Sequence, residues 1–508
     1  MHDPEQGPSP LPAAPTRRGL LSRRALFAAG AALAASRSAA AQSAPLGANG
    51  ARAPGLVGDL ARLVARTTYG FRPDVWQEAQ ALGYQGFLER QLDPASISDA
   101  AVDAALTGFP SLAMTSRQIW DTYGLTFTLS VPVSELKQAS VLRAVLSKRQ
   151  LFERMVEFWS DHLSIDHLKD ECQVLKTADD RDVIRVHALG TFPALLVASA
   201  HSGAMLDYLD NRANKVGAPN ENYARELLEL HTLGVGNYTE LDIKELARCL
   251  TGWTLRPRSH PEYGAFHFEA AWHDFGAKSV LGVQIPAGGG TSDADQLIAM
   301  LAMHPTTARY VGGKLARFLL SYEPPAALLD DVVATWLATG GDIKAIVRVI
   351  LRPESMALAQ VGAQPKLKRP RHLVASLLRA GHAQVTSWSP LVEELETLGH
   401  APFAWLTPDG CPDAIPAWGL ALLPRWTFAS RFFANEVPGT TVDIAALLGG
   451  VPKSAAAARI DAVLGGGALA DADVAALQGW IDSQPAWTPA RQREAFALAA
   501  SCPSFQWY

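Results

Sequence analysis

The sequence predicts an all-α protein: a large, multi-helix, bundle-like domain with at most a small β-hairpin. Apolar residues recur at helical spacing in one stretch after another, whereas strand-like alternation is scarce. No repeat of fixed length is present, which sets a solenoid aside. The 508 residues are 48% apolar and only 19% charged, so a large core can be buried and chain-wide disorder is excluded. A net charge of −5 without any long Lys/Arg run argues against nucleic acid as a partner.

The chain opens with an address. Residues 1–24 are polar and hold Arg17-Arg18 and Arg23-Arg24; the apolar run Ala25–Ala35 and the small residues Ala39-Ala40-Ala41 follow. That run is too short for a bilayer-spanning helix of about 20 residues. Ser22-Arg23-Arg24-Ala25-Leu26-Phe27 resembles the twin-arginine export signal, so residues 1–41 read as a signal peptide and a periplasmic or secreted location is expected. Cleavage after Ala41 leaves 40 basic and 48 acidic residues, a formal charge of −8. No later segment reads as a membrane span.

Residues 42–55, rich in Ser, Ala, Gly and Pro, read as a linker, and 56–508 as the helical domain. Within it the spacing predicts helices near 56–66, 73–92, 135–163, 180–200, 220–233, 240–251, 293–303, 306–320, 326–338, 342–351 and 367–380. A C-terminal helical portion over 367–508 adds helices near 389–398, 417–434, 455–464, 470–482 and 489–500. Gly264–Glu269 is the best strand, with Val280–Ile285 as its hairpin partner. The glycine runs 288–290 and 465–467 lack the Lys and Ser/Thr of a phosphate loop and read as turns. Cys172, Cys249, Cys411 and Cys502 show no Cys-x-x-Cys spacing, so neither a zinc ribbon nor a thioredoxin-type site is indicated. Cys249 falls in an apolar helical pattern and reads as a small buried residue.

The most informative stretch is Asn220–Gly234. As an α-helix it gathers Tyr223, Ala224, Leu227, Leu228 and Leu230 with His231, and lines Glu221, Arg225 and Glu229 on the other face for i, i+4 pairing. Glu226 falls at the stripe's edge, where apolar surroundings raise a carboxyl pKa as a general acid or base requires. In the next helix Thr239 and Asp242 match a capping box, Ile243, Leu246, Ala247 and Leu250 form the buried stripe, and Gly252 fits the C-terminal cap. His273-Asp274 then offers an imidazole beside a carboxylate in a loop, suited to metal binding or proton transfer. Asp161-His162 and Asp166-His167 repeat the pair, and His162 and Asp166 share a helix face if the helix continues. Nine histidines fall between His162 and His304, an excess that marks a site, although His-Glu-x-x-His and Gly-x-Ser-x-Gly are both missing. The basic cluster Lys366, Lys368, Arg369 and Arg371 reads as a solvated helix start, less often as an anion site.

At these motifs the chain resembles the bacterial family catalogued as "domain of unknown function 1800". The resemblance rests on Phe158-Trp159…His162, Asn220–Gly234, Leu250-Thr-Gly-Trp-Thr254 and His273-Asp274-x-Gly276-x-Lys278 with Leu281-Gly282. It continues through His304-Pro305…Ala308-Arg309, Lys366-x-Lys368 and Ala401-Pro402…Trp405…Gly410, covering about residue 57 to the C-terminus. The family more usually carries Asn where this chain has Asp161, which alters the charge beside His162. Its loop before Tyr238 is often longer. The resemblance implies an exported, largely helical protein, often encoded beside a second exported, sulfatase-like protein, which is the expected partner. It implies no established reaction.

Two functions of different class follow. One is a hydrolase-type enzyme, metal-assisted or not, with His231 and Glu226 in acid/base roles and His162, His273 and Asp274 completing a pocket or metal site. The other is a non-catalytic helical binding or assembly protein acting with another exported protein, its polar residues tying motifs together. The enzyme reading expects His162, Glu226, His231 and His273 to meet in one cleft.

Overall fold

The computed structural model describes residues 58–360, 365–419 and 421–508; the expected signal peptide, 1–41, and the expected linker, 42–55, lie outside the described residues. The fold is all-α, and its only sheets among the described residues are three of two strands each. Most helices start and stop where sequence chemistry places them. Thr239 and Asp242 form the capping box of Glu240–Cys249, whose Ile243, Leu246, Ala247 and Cys249 are buried. Thr191, Asp342, Asp443 and Thr488 each cap a helix with a side-chain oxygen.

Several expected helices are interrupted, 73–92 among them at Gly83, whose φ is +69°. The stretch 135–163 becomes Ser130–Leu146 and Gln150–His162. Between them Asp99 takes hydrogen bonds from Ser147 Oγ at 2.5 Å and Lys148 N at 2.9 Å, and Gln150 Nε2 donates to Ser147 O at 2.7 Å. Side chains thus satisfy the backbone where the helix stops. The stretch 180–200 is divided at Gly190, and its first part opens in a π-helical turn over Asp179–Ile184. Because Gln150–His162 ends at His162, Asp166 does not share its face; its carboxylate instead accepts from Leu168 N at 3.0 Å.

The expected hairpin is also re-paired. Phe266–Phe268 lies antiparallel to Trp253–Leu255, and Val283–Ile285 to Lys278–Val280. Leu281 and Gly282, both at positive φ, make the two-residue turn that closes the second pair locally. Gln384–Val385 with Thr440–Thr441 is a third pair that alternation did not mark.

Apolar side chains form two buried clusters. One draws on helices between Leu63 and Met356; the other is mostly residues 373–505 and takes in Tyr69, Val102 and residues 141–145. A buried polar seam runs where helix Gln150–His162 of the first cluster meets helix Pro370–Ala380 of the second. Glu153, Glu157 and Asp161, spaced four apart, line one face of the first helix. Arg185 pairs with Glu153 at 2.6 Å, and Arg369 bridges Glu157 at 2.5 Å and Asp161 at 2.7 Å. Tyr69 OH donates to Glu157 at 2.6 Å, while Arg154 reaches His372 Nδ1 and Tyr508 OH, both at 3.0 Å. The solvated reading of Lys366, Lys368, Arg369 and Arg371 is therefore corrected: all four are buried. Their partners come from distant segments, including Asp413 to Lys366 at 2.5 Å, Ser140 O to Arg371 at 3.1 Å and the Phe505 ring 3.5 Å from Lys368 Nζ.

Candidate functional site

At the C-terminal end of helix Gln150–His162 adjacent side chains diverge: Asp161 faces the seam and His162 the first core. His162 Nε2 lies 3.2 Å from the backbone oxygen of His231. A carbonyl only accepts, so Nε2 carries the proton and Nδ1 is left to accept from Lys314 Nζ at 3.1 Å. The chain of donors runs Lys314 to His162 to His231. The His162 and His231 rings stand 6.2 Å apart, and His231 Nε2 is buried without a hydrogen-bond partner among the described residues.

The His231 carbonyl is free for this bond because it lies in the last turn of its helix, where carbonyls have no intrahelical partner; that turn, Leu227–Thr232, is π-helical rather than α-helical. Leu233 N returns to Leu228 O, five residues back, at 2.9 Å. Such a turn is wider than an α-turn, yet Leu227, Leu228 and His231 stay buried as predicted, and of the expected stripe only Leu230 is partly exposed. The expected pairing of Arg225 changes with it: Arg225 binds Glu221 at 3.5 Å and Glu240 at 2.9 Å, while Glu229 accepts from Tyr238 OH at 2.5 Å.

Burial sets the electrostatics. It drives His231 down to about 3, with Lys314 adding to the effect, and holds His162 well below its ordinary value. Lys314 is lowered to about 8 by burial, against the pull of Asp161 and Asp409, and Arg317 lowers it further. Among the described residues no carboxylate oxygen lies within 4.0 Å of Lys314, although the residue keeps part of its surface open. Glu226 is half-buried and raised by burial and by Glu229, with Asp409 adding to the rise. No hydrogen bond or ion pair joins Glu226 to His231.

His273 and Asp274 sit in a separate knot. His273 is clamped by Thr251 O at 2.7 Å and Asp293 at 3.2 Å, and Asp293 also takes Lys278 at 2.6 Å. Asp274 pairs with Arg248 at 2.7 Å and accepts from Gly276 N at 2.9 Å. Of the four residues expected to meet, His162 and His231 do; His273 shares no partner with them, and Glu226 is joined to neither.

Sequence reasoning missed the other side of His162. Glu157, Ser160, Asp161, Ser164, Arg371, His400, Trp405 and Cys411 are among the residues lining a cavity of about 20 Å³, room for one water-sized group. Asp161, His400 and Cys411 each offer one donor atom, and these lie within 4.8 Å of one another. Ser160 Oγ and Trp405 Nε1 are buried there without hydrogen-bond partners among the described residues. Burial alone would push Glu157 up, but Arg369, Arg371 and Arg154 hold it well below the carboxylate range; at Asp161 burial outweighs Arg369 and the shift is upward. Burial raises the Cys411 thiol and takes His400 down to about 3, with Arg369 adding to the latter. The loop 401–413 brings Cys411 here. His167 N donates to Phe403 O at 3.0 Å, Tyr208 OH to Leu406 O at 3.1 Å, and Trp418 Nε1 to Pro412 O at 2.7 Å. Gly410, at φ +74°, presses its backbone against Asp161 O. The signal available in the sequence was the spacing of Glu153, Glu157 and Asp161 and the matching density of charge at 366–371. A larger groove of about 790 Å³, lined by His382, Asp443, Arg459 and Arg493 among others, contains none of these residues.

Fold and site together define an all-α protein in which several sequence motifs, though not His273-Asp274, converge on a buried junction of imidazoles, carboxylates and cations. The chain belongs to the family described as "Protein of unknown function (DUF1800)", whose profile matches residues 62–507. No curated protein and no solved structure matches it.

Proposed function

We propose that the protein is an exported hydrolase-type enzyme in which Lys314 is the catalytic base and His162 positions it. One observation carries this reading: Lys314 Nζ stands 3.1 Å from His162 Nδ1, desolvated and with no carboxylate bonded to it. A lysine near neutrality offers a lone pair that a surface lysine does not. Its hydrogen bond to His162 aims the amine, and the bond from His162 to the His231 carbonyl locks the imidazole tautomer that can accept it. Glu226, raised on the rim, is the acid of the same proposal. The groups facing Lys314 are His162, His231, Asp161, Asp409, Arg317 and Tyr310.

Acylation of lysines across a pH series, read by mass spectrometry, is expected to half-label Lys314 at about 8, where exposed lysines remain protonated. Lys314→Met should lower turnover of chromogenic esters, phosphoesters or sulfate esters by about 10²–10⁴-fold. Labelling of Lys314 in step with surface lysines, or turnover retained in Lys314→Met, refutes the assignment. The second reading, a non-catalytic assembly protein acting with a co-encoded exported partner, is favoured by the buried, mutually paired seam. It predicts an unreactive Lys314.

Export by the twin-arginine route belongs to the same proposal and is supported by Arg23-Arg24 ahead of the apolar run. Among the described residues no helix is long and apolar enough to cross a membrane. Changing Arg23 and Arg24 together to Lys should leave the precursor in the cytoplasm. Normal export with Arg17 and Arg18 changed as well would remove the assignment.

A further inference from the structure

We infer that Asp161, His400 and Cys411 form a three-ligand binding site for a zinc-class divalent cation, with the fourth position opening on the small cavity beside them. The inference goes beyond the acid–base reading; the two share only Asp161, which faces Lys314 without bonding to it, so metal binding and Lys314 reactivity are read separately and either can fail while the other stands.

The donor set comes first. A carboxylate oxygen, an imidazole nitrogen and a thiolate sulfur are the ligands that Zn²⁺ takes, and three of them with one open position is the arrangement of a reactive site rather than a closed structural one. The three donors already lie within 4.8 Å of one another. Tetrahedral coordination at 2.0–2.3 Å sets donors about 3.3–3.8 Å apart, so closure asks for side-chain shifts of about 1–1.5 Å at most. Cys411 sits on a loop rather than inside a helix, where such a shift is least costly.

The surroundings supply a second shell. Arg369 holds Asp161 by Oδ2 at 2.7 Å, so the carboxylate is already oriented, and the Cys411 thiol that hydrogen-bonds it gives up that bond when the sulfur ligates. Ser160 Oγ and Trp405 Nε1, buried in the same cavity without hydrogen-bond partners among the described residues, can bond a water or substrate oxygen in the fourth position. A second existing contact has to be given up: Arg371 N–H donates to His400 Nδ1 at 3.3 Å. If Nδ1 ligates, its lone pair is taken; if Nε2 ligates, Nδ1 carries the proton and two donors face each other. A contact of that length is weak, and the amide belongs to the first turn of a helix, where water is an ordinary substitute.

Arg369 is shared between Glu157 and Asp161, and Arg371 also faces both carboxylates. A dication bonded to the sulfur compensates the Cys411 thiolate directly. The thiol proton leaves to solvent as the S–metal bond forms, and no electron is transferred.

The test adds Zn²⁺ or Co²⁺ alone to the full-length protein. One ion per chain is expected, with Co²⁺ giving a tetrahedral visible spectrum and a thiolate charge-transfer band. Cys411→Ser should abolish that band, His400→Ala should weaken Zn²⁺ binding by at least about tenfold, and Cys249→Ala should change neither. X-ray absorption of the Zn²⁺-loaded wild type, which needs no variant to fold, should show one sulfur at about 2.3 Å. Absence of one-to-one binding by folded protein, a charge-transfer band persisting in Cys411→Ser, or a zinc shell without sulfur overturns the site.

Discussion

Replacing Arg369 by methionine is expected to destabilise the protein by about 3–5 kcal/mol, the cost of leaving a buried charge without its partner. Arg369 bridges Glu157 and Asp161 and is almost wholly enclosed. Methionine keeps much of the volume and removes the cation, so the loss is electrostatic rather than a cavity effect. The pH dependence separates the two. In the wild type Glu157 is held low, so its contribution is present above the ordinary carboxylate pKa and is lost as pH falls through its lowered one. In Arg369→Met the buried carboxyl shifts upward instead, and its penalty is relieved when it takes up a proton. The gap in denaturant midpoint between the two proteins should therefore narrow from pH 7 towards pH 4. A constant gap would mean that Arg369 acts by packing.

Gly410→Ala should be the second large effect, at about 2–4 kcal/mol. A Cβ at this position would stand 1.9 Å from Asp161 O, and the backbone is left-handed at φ +74°. The neighbour is backbone at a helix end, which cannot step aside as a long side chain would. Loop 401–413 must lift instead, and Cys411 with it, so faster alkylation of Cys411 should accompany the lower melting temperature. Gly399→Ala is the control: its φ is +75°, but nothing lies within 4 Å of the added carbon. Its cost should stay near the roughly 1–2 kcal/mol of the left-handed backbone alone. Equal effects at the two glycines would place the strain in the backbone angle and remove the role given to Asp161.

How much of this was legible from residues alone follows the range of the interaction. The helix Glu240–Cys249 was readable because its signals, Thr239, Asp242 and an apolar stripe, all lie within one short window. His162 and His231 were readable as unusual, since an imidazole inside an apolar pattern is visible locally. The seam was not, because its pairs are distant: Asp161 and Arg369 stand 208 positions apart. A run such as Lys366–Arg371 looks solvated until the carboxylates that neutralise it are known, and periodicity carries no record of them. His400 and Cys411 escaped for a related reason. Each is an unremarked residue in its own segment, and only the docking of loop 401–413 turns them into neighbours of Asp161. His231 is buried as its apolar pattern predicts, whereas the π-turn itself, which leaves Leu230 only partly covered, has no signal in the angular spacing on which wheel reasoning depends.

The seam also bears on how such a protein can change over generations. Its two apolar clusters are held by contacts that tolerate exchange among side chains of similar volume, so they can drift one residue at a time. The junction between them is held by directional bonds between opposite charges, and a lone neutral replacement strands the remaining partner in a medium that cannot solvate it. Glu157 and Arg369, or Glu153 and Arg185, can therefore be traded only as matched couples. A lineage that loses one member must regain its complement or rebuild the junction around apolar groups. Variation in the cores should accordingly be gradual, and variation at the seam abrupt and concerted.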